Sequence, residues 1–121
     1  MFLTLGHNQL DVYKITRQFV RDCYVTVTKF PLEEKYILIQ QIKRAALSVH
    51  LNVAEGASRK SELERKRFYE IARGSVIEID AALDIASDLG YCEVGSLTSL
   101  GESLVKCFKY LSGLINSIKT A

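Results

Sequence analysis

The sequence has few histidines and cysteines, and each shortage excludes a class of metal site. Neither His7 nor His50 lies three residues from a glutamate on one helix, so the glutamate–histidine di-metal sites of helical bundles are not expected. The three cysteines have no Cys-x-x-Cys spacing, which favours buried thiols in a reducing cytoplasm over disulfides or a zinc site. We therefore predict a protein that holds no metal and no cofactor.

Motifs for catalysis and for membrane insertion are also missing. The chain has no nucleophile elbow, and residues 56–61 lack both the GxxxxGK spacing and the preceding strand of a phosphate loop. It does not open with a basic segment followed by an apolar run, and no apolar run reaches the roughly 20 residues that span a bilayer. We expect a cytoplasmic protein that is not an enzyme and has no membrane partner.

The composition of the chain predicts one folded domain, residues 1–121. Apolar residues make up 48% and charged residues 25% of the chain, which are globular values. The net charge is only +2, so the field of the whole molecule is weak. Any binding of nucleic acid must then depend on a local basic patch.

Apolar residues recur at helical spacing along the whole chain, and the pattern predicts four helices. The first spans residues 8–28 with Asn8 as its N-cap. The second starts at Pro31, with Glu33 and Glu34 in its first turn, and stops at Gly56. Its apolar stripe consists of Leu38, Ile42, Ala45, Val49 and Val53.

The third helix spans residues 61–89, between a capping box formed by Ser61 and Glu64 and a stop at Gly90. Its predicted inward residues are Phe68, Ile71, Ala72, Ser75, Ile79, Ala82, Leu83 and Ala86. The fourth runs from residue 94 or 96 to 118, with Phe108 in its apolar stripe. Short connections between four amphipathic helices predict an all-α, up-down-up-down antiparallel four-helix bundle.

Polar residues follow one edge of the apolar stripe on the second helix. The spacing places them within roughly 80° of one another on the helix; they are Arg44, Ser48, Asn52 and Glu55. The third helix repeats the arrangement with Arg67, Gly74 and Glu78. We interpret both sets as a half-buried hydrogen-bonded network, between helices or across a subunit interface, and a ligand or catalytic site is the alternative.

Two expectations follow from this interpretation. Replacing Glu55 with Ala should lower stability or break an oligomer, because a half-buried Arg44 would lose its partner at a cost of about 1–3 kcal/mol. The Gly74–Ser75 pair inside a helix should mark a close backbone approach, since glycine there costs about 1 kcal/mol against alanine. His50 falls away from Val49 and Val53, which predicts a solvent-facing or interface histidine.

Positive charge is concentrated between residues 43 and 73, a segment that contains eight Lys or Arg residues and four Glu residues. Near the link between the second and third helices lie Arg59, Lys60, Arg65 and Lys66. In one copy of the chain these residues are typical of a solvated helix end. Several copies in a ring would instead present a strong basic rim to an anionic partner.

Several segments carry a recognisable pattern. They read F-P-x-x-E at residues 30–34, Q-x-x-R-A-A-x-S-V at 41–49, N-V-A-E-G-x-x-R at 52–59, R-F-Y-x-I-A-x-G-S-x-x-E at 67–78 and L-G-Y at 89–91. In these motifs the chain resembles the four-helix-bundle family first named for proteins encoded in intervening sequences of 23S ribosomal RNA genes. It departs from that pattern at His50, where the family usually has proline.

The resemblance implies a cyclic homopentamer of four-helix bundles. It also implies kinship with the accessory proteins of diversity-generating retroelements, which bind nucleic acid and a reverse transcriptase. Our leading hypothesis is a non-enzymatic oligomeric accessory protein that binds nucleic acid, RNA rather than DNA, through the basic residues near the second link. The alternative is a ring-shaped scaffold that binds a protein and no nucleic acid, and an enzyme that uses Arg44, Asn52 and Glu55 ranks third.

Overall fold

Four α-helices form the protein in a computed structural model, which describes residues 2–3, 5–6 and 10–118. The helices are α1 (Asp11–Val27), α2 (Leu38–Ser58), α3 (Glu62–Asp88) and α4 (Thr98–Ser117). Two short 3₁₀ segments, Leu32–Glu34 and Val94–Leu97, precede α2 and α4. The described part of the chain contains no strand.

The helices pack in chain order, and α4 closes the bundle against α1. The most extensive contact joins α2 and α3. Short links make successive helices antiparallel, so the prediction of an up-down-up-down four-helix bundle is confirmed. The core side chains that are almost fully buried include Phe19 of α1, Ile42 of α2, Ile79 of α3 and Leu111 of α4.

The second helix begins later than predicted, at Leu38 instead of Pro31. Pro31 precedes a 3₁₀ turn in which the amide of Glu34 bonds the Pro31 carbonyl at 3.0 Å. Proline favours a tight first turn because its φ is fixed and it has no N–H to place. Lys35, Tyr36 and Ile37 then form an exposed turn before α2 starts.

The predicted ends of α3 are confirmed. The Ser61 hydroxyl accepts a hydrogen bond from the Glu64 amide at 3.3 Å, as an N-cap does. Gly90 ends the helix with a φ of +80°, a conformation that favours glycine. Asn8, the predicted cap of α1, lies outside the described residues, and Leu10 occupies the N-cap position of that helix.

Two predicted core residues are exposed. Ile71 of α3 is 45% exposed and Phe108 of α4 is 40% exposed, whereas Ala72 and Cys107, which are next to them in the sequence, are fully buried. In each case an apolar residue one position away fills the core. Helical periodicity places the apolar face, but it does not decide between neighbouring apolar residues at its border.

No helix in the described part of the chain is long and apolar enough to cross a membrane.

Candidate functional site

The predicted basic residues lie at the end of the bundle where α2 passes into α3. We call Arg59, Lys60, Arg65 and Lys66 the basic tip. Arg59 and Lys60 lie on the link after Ser58, and Arg65 and Lys66 lie on the first two turns of α3. The link is only three residues long, so the four cationic side chains start from adjacent backbone.

Arg65 holds the link in place. Its Nη1 donates to the carbonyl oxygens of Arg59 and Lys60, each at 2.8 Å. Its Nη2 lies 3.8 Å from a carboxylate oxygen of Glu62. These carbonyls follow the end of α2 and have no helical partner, so Arg65 supplies the donors that they need. Much of the hydrogen-bonding capacity of Arg65 is therefore used within the chain.

Arg59 is also engaged by its own chain. Its guanidinium forms an ion pair with Glu55 one turn earlier on α2 and lies 5.2 Å from the centre of the Phe68 ring. The side chains of Arg59 and Glu55 are 42% and 49% exposed. Because both side chains are exposed to solvent, the pair should contribute at most about 1 kcal/mol, so Arg59 is not held strongly by Glu55.

Lys60 and Lys66 differ from the two arginines. Lys60 is exposed and Lys66 is half-buried. Neither side chain forms a hydrogen bond or an ion pair with another described residue. Within the basic tip, these are the two cationic groups that have no described partner.

The polar residues of α2 and α3 meet along what we call the α2–α3 seam. The hydroxyl oxygens of Ser48 and Ser75 are 3.0 Å apart. The Asn52 side-chain amide donates to the Ser48 carbonyl at 2.8 Å and to its hydroxyl at 3.1 Å. Ser75 is buried, and Ser48 and Asn52 are half-buried. The three side chains satisfy one another, as buried polar groups do in stable interiors.

The charged residues of the same two stripes lie outside this network. Arg44 and Arg67 are exposed, and Glu78 accepts a long hydrogen bond of 3.4 Å from Gln41. We expected a half-buried Arg44 to pair with Glu55, but the structure pairs Glu55 with Arg59 instead. The reason is distance along the helix: Arg59 is one turn from Glu55, whereas Arg44 is three turns away.

Gly56 and Gly74, both predicted to have structural roles, differ in how closely other atoms approach them. Gly56 is buried within α2, which continues to Ser58, so it does not end the helix as predicted. A Cβ atom at Gly56 would lie 2.9 Å from Cβ of Phe68 and 3.1 Å from Cε1 of Tyr69. At Gly74 an added Cβ atom would meet no described atom within 4 Å. The close approach that we expected at Gly74 is found at Gly56.

His50 is half-buried and faces α1, so of the two predicted alternatives the solvent-facing one is wrong, and a position at a subunit interface stays a prediction. Its Nδ1 lies 2.8 Å from the hydroxyl oxygen of Thr16, and its ring centre is 4.5 Å from that of Tyr13. Thr16 is fully buried and also lies 3.2 Å from the Tyr13 carbonyl. The sequence does carry a signal for a buried polar group on α1. The helical spacing of Val12, Thr16, Phe19 and Cys23 places the Thr16 hydroxyl on the apolar face of that helix.

At the opposite end of the bundle, the first and last segments of the family pattern meet. The Tyr91 hydroxyl donates to Oε2 of Glu34 at 2.9 Å, across 57 positions of sequence. The rings of Tyr91 and Phe30 are 6.0 Å apart. The hydrogen bond to Glu34 is the main reason that the pKa of Tyr91 is raised above its ordinary value. These two contacts therefore connect the 3₁₀ turn after Pro31 to the link that follows α3.

Two of the three cysteines, Cys23 and Cys107, are buried, and Cys92 is half-buried. Burial is the largest cause that raises the pKa of the Cys23 and Cys107 thiols, each to about 12. Such thiols stay protonated and are poor nucleophiles near neutral pH. No group of three or more His, Cys, Asp or Glu side chains in the described part of the chain is placed to hold a metal ion.

The chain matches a known protein family over most of its length. The family model described as 23S rRNA-intervening sequence protein matches residues 8–113, which include α1 to α3 and most of α4. The match agrees with the resemblance carried by the five sequence motifs. No curated protein matches the chain.

Proposed function

Because the chain belongs to the 23S rRNA-intervening sequence protein family, we propose that it is a non-enzymatic, cytoplasmic accessory protein that binds nucleic acid as a homo-oligomer. RNA is the ligand that we favour. The single observation that carries the proposal is that the ammonium groups of Lys60 and Lys66, beside Arg59 and Arg65, have no partner among the described residues. Lysine side chains that are not committed within the chain are suited to contacts with phosphate.

The composition of the tip sets the expected mode of binding. Few aromatic side chains lie near it; Tyr69 is buried and Phe68 lies beneath Arg59. Base stacking should then contribute little, and recognition should depend on the phosphate backbone with little sequence preference. One copy of the tip offers few contacts, so useful affinity requires several copies that act together.

Assembly of copies is supported by the outer surface beside the α2–α3 seam. Leu51 is 60% exposed and Ile71 is 45% exposed there. Gly74 lies on the same side of α3, where an added Cβ atom would meet no described atom within 4 Å, so no neighbour in the described part of the chain requires glycine there. We propose that a second copy approaches this surface and that five copies form a ring.

The assembly has a direct test. Light scattering should give a mass near five times the 13.6 kDa of one chain. The variant Gly74→Leu should dissociate the ring, whereas Gly113→Leu should not, since Gly113 is an exposed glycine of α4. A wild-type protein that is monomeric at micromolar concentration would contradict this part of the proposal.

Nucleic-acid binding is tested by charge reversal. The double variant Lys60→Glu/Lys66→Glu should bind labelled RNA more weakly, whatever the RNA sequence. The matched control is Lys14→Glu/Arg21→Glu, which makes the same change in net charge on the exposed face of α1. Equal losses in both double variants would indicate a general effect of net charge and would count against the tip.

The family resemblance also implies a protein partner. The kinship with retroelement accessory proteins that this resemblance implies extends the proposal to a reverse transcriptase, and a reverse-transcriptase gene beside this gene would support it. The alternative function is a ring-shaped scaffold that binds a protein and no nucleic acid. An intact ring that fails to bind RNA at low salt would favour the scaffold.

A further inference from the structure

A groove runs along the outer surface between α3 and α4, on the half of α3 that is remote from the basic tip. Two adjoining sections have volumes of about 670 and 440 Å³. Both are lined by Asp80, Leu104 and Val105, so the sections are continuous. Near the middle of α3, Arg73 reaches Ser112 of α4 at 3.3 Å, and the groove lies beyond that contact.

The floor of the groove is apolar and open to solvent. Val105 is 48% exposed and Phe108 is 40% exposed on α4, and Ile77 of α3 is 54% exposed. Leu83 and Leu104 lie beneath them and are each 9% exposed. Exposed apolar side chains that line a common concave surface are typical of an interaction site.

The walls of the larger section are acidic, whereas the smaller section is lined by Asp80 of α3 and Lys109 of α4. Asp80, Asp84 and Asp88 follow one another at intervals of one turn along α3, and Glu102 stands opposite on α4. None of these carboxylates forms an ion pair or hydrogen bond with another described residue. The larger section therefore repels nucleic acid and attracts positively charged groups.

From this combination we infer that the α3–α4 groove binds an amphipathic helix of a partner protein, with apolar residues along one face and lysine or arginine residues on both flanks. The stretch from Val76 to Asp88 is about 18 Å long, which accommodates about three helical turns. An apolar stripe at helical spacing would cover the floor, and its basic flanks would reach the carboxylates. The inference is independent of nucleic-acid binding at the tip.

A second copy of the chain fits this groove less well. The basic face of α1, with Lys14, Arg17 and Arg21, has the charge to match. Its large exposed apolar residues, however, are only Leu10 and Val25, at or beyond its two ends. Docked in the groove, that face would set polar side chains against Val105 and Phe108.

The experiment uses a tryptophan as a local reporter, because the chain has none. The variant Phe108→Trp places the indole on the floor of the groove, and Val105→Trp serves as a second reporter if the first destabilises the fold. The probe is an 18-residue synthetic peptide of leucine and lysine with leucines at helical spacing. The matched peptide carries glutamate in place of lysine.

We expect the lysine peptide to shift the tryptophan emission to shorter wavelength in a saturable manner, and the glutamate peptide to leave it unchanged. Adding Asp80→Lys/Asp84→Lys should weaken binding of the lysine peptide roughly tenfold. The control pair Asp11→Lys/Glu70→Lys makes the same change in net charge at exposed positions outside the groove and should bind normally. The Lys60→Glu/Lys66→Glu variant should also bind normally, which separates this inference from the function proposed for the tip.

Three results would overturn the inference. The first is equal binding by the Asp80→Lys/Asp84→Lys variant. The second is binding of the lysine peptide without any change in the emission of either reporter, which would place the peptide elsewhere. The third is a short-wavelength emission that depends on protein concentration without peptide, which would show that a second copy covers the groove.

Discussion

Helix α3 meets its two neighbours in different ways. Toward α2 it presents Ser75 and Ala72, both buried, and packs its Phe68 and Tyr69 side chains against Gly56. Toward α4, beyond Arg73, it presents a row of aspartates above an open groove. The polar groups of the seam satisfy one another, whereas those of the groove have no partner within the described residues. The polar groups beside the core are therefore structural on one side of the helix, whereas those on the other side have no structural role that the described contacts show.

The largest effect on stability should come from filling the seam at Gly56. In Gly56→Ala the new Cβ atom would clash with Cβ of Phe68, which is fixed to the α3 backbone, at 2.9 Å. We expect the free energy of unfolding to fall by about 1–3 kcal/mol, measured by denaturant titration. The control Gly113→Ala should raise it by up to about 1 kcal/mol. A Gly56→Ala protein as stable as wild type would show that the seam is not closely packed.

The hydrogen bonds of the seam should contribute less than its packing. Ser75→Ala removes the contact with Ser48 and leaves a half-buried hydroxyl with fewer partners. We expect a loss of about 1 kcal/mol. In a double-mutant cycle with Ser48→Ala, the two changes should be coupled by about 0.5–1.5 kcal/mol, because they remove one interaction. Additive losses would mean that the two hydroxyls do not interact in solution.

The contact between Tyr91 and Glu34 should have a smaller effect that depends on pH. Its hydrogen bond raises the pKa of Tyr91, so the stabilisation is complete below the ordinary tyrosine value of about 10. It should disappear as the pH rises through the raised pKa. Tyr91→Phe should lower the midpoint of thermal unfolding near neutral pH, and this deficit should shrink in alkaline solution. Tyr110→Phe, at an exposed position on α4, should have no such deficit at any pH.

The smallest effects should come from exposed charges. We expect Glu55→Ala to cost about 0.2–1 kcal/mol, less than the sequence indicated, because its partner is the exposed Arg59. Asp84→Ala in the groove should change stability by at most about 0.5 kcal/mol. If Asp84→Ala lowers the free energy of unfolding more than Ser75→Ala does, the conclusion that the seam stabilises the fold more than the groove does is wrong.

Much of the fold could be predicted from the sequence, because the signals are local. Helical periodicity gave four helices, and the cap at Ser61 and the stop at Gly90 each depend on neighbouring residues. The start of α2 is not where the sequence predicts it, because a 3₁₀ turn follows Pro31; Glu34 in that turn also bonds Tyr91, a contact far along the chain that no local pattern indicates. Gly56 was interpreted as a helix end for a similar reason, since the residues that require glycine there belong to α3.

The candidate site was predictable in position but not in the roles of its members. Charge counting located the basic tip, yet it could not separate Arg65, which bonds two backbone carbonyls, from Lys60, which bonds nothing in the described chain. The acidic groove depends on α3 and α4 lying side by side. Its aspartates, taken alone, are typical of any solvated helix face.

The most direct test of nucleic-acid binding by the tip is the salt dependence of RNA affinity. For wild-type protein, the logarithm of the binding constant should fall linearly with the logarithm of salt concentration, equally for RNAs of unrelated sequence. In Lys60→Glu/Lys66→Glu the slope should be shallower by about 1.5 for each bound subunit, since each lost phosphate contact removes about 0.7–0.9. The Lys14→Glu/Arg21→Glu control should keep the wild-type slope. An unchanged slope in the tip variant, with tight binding retained, would contradict the account and place the nucleic-acid surface elsewhere.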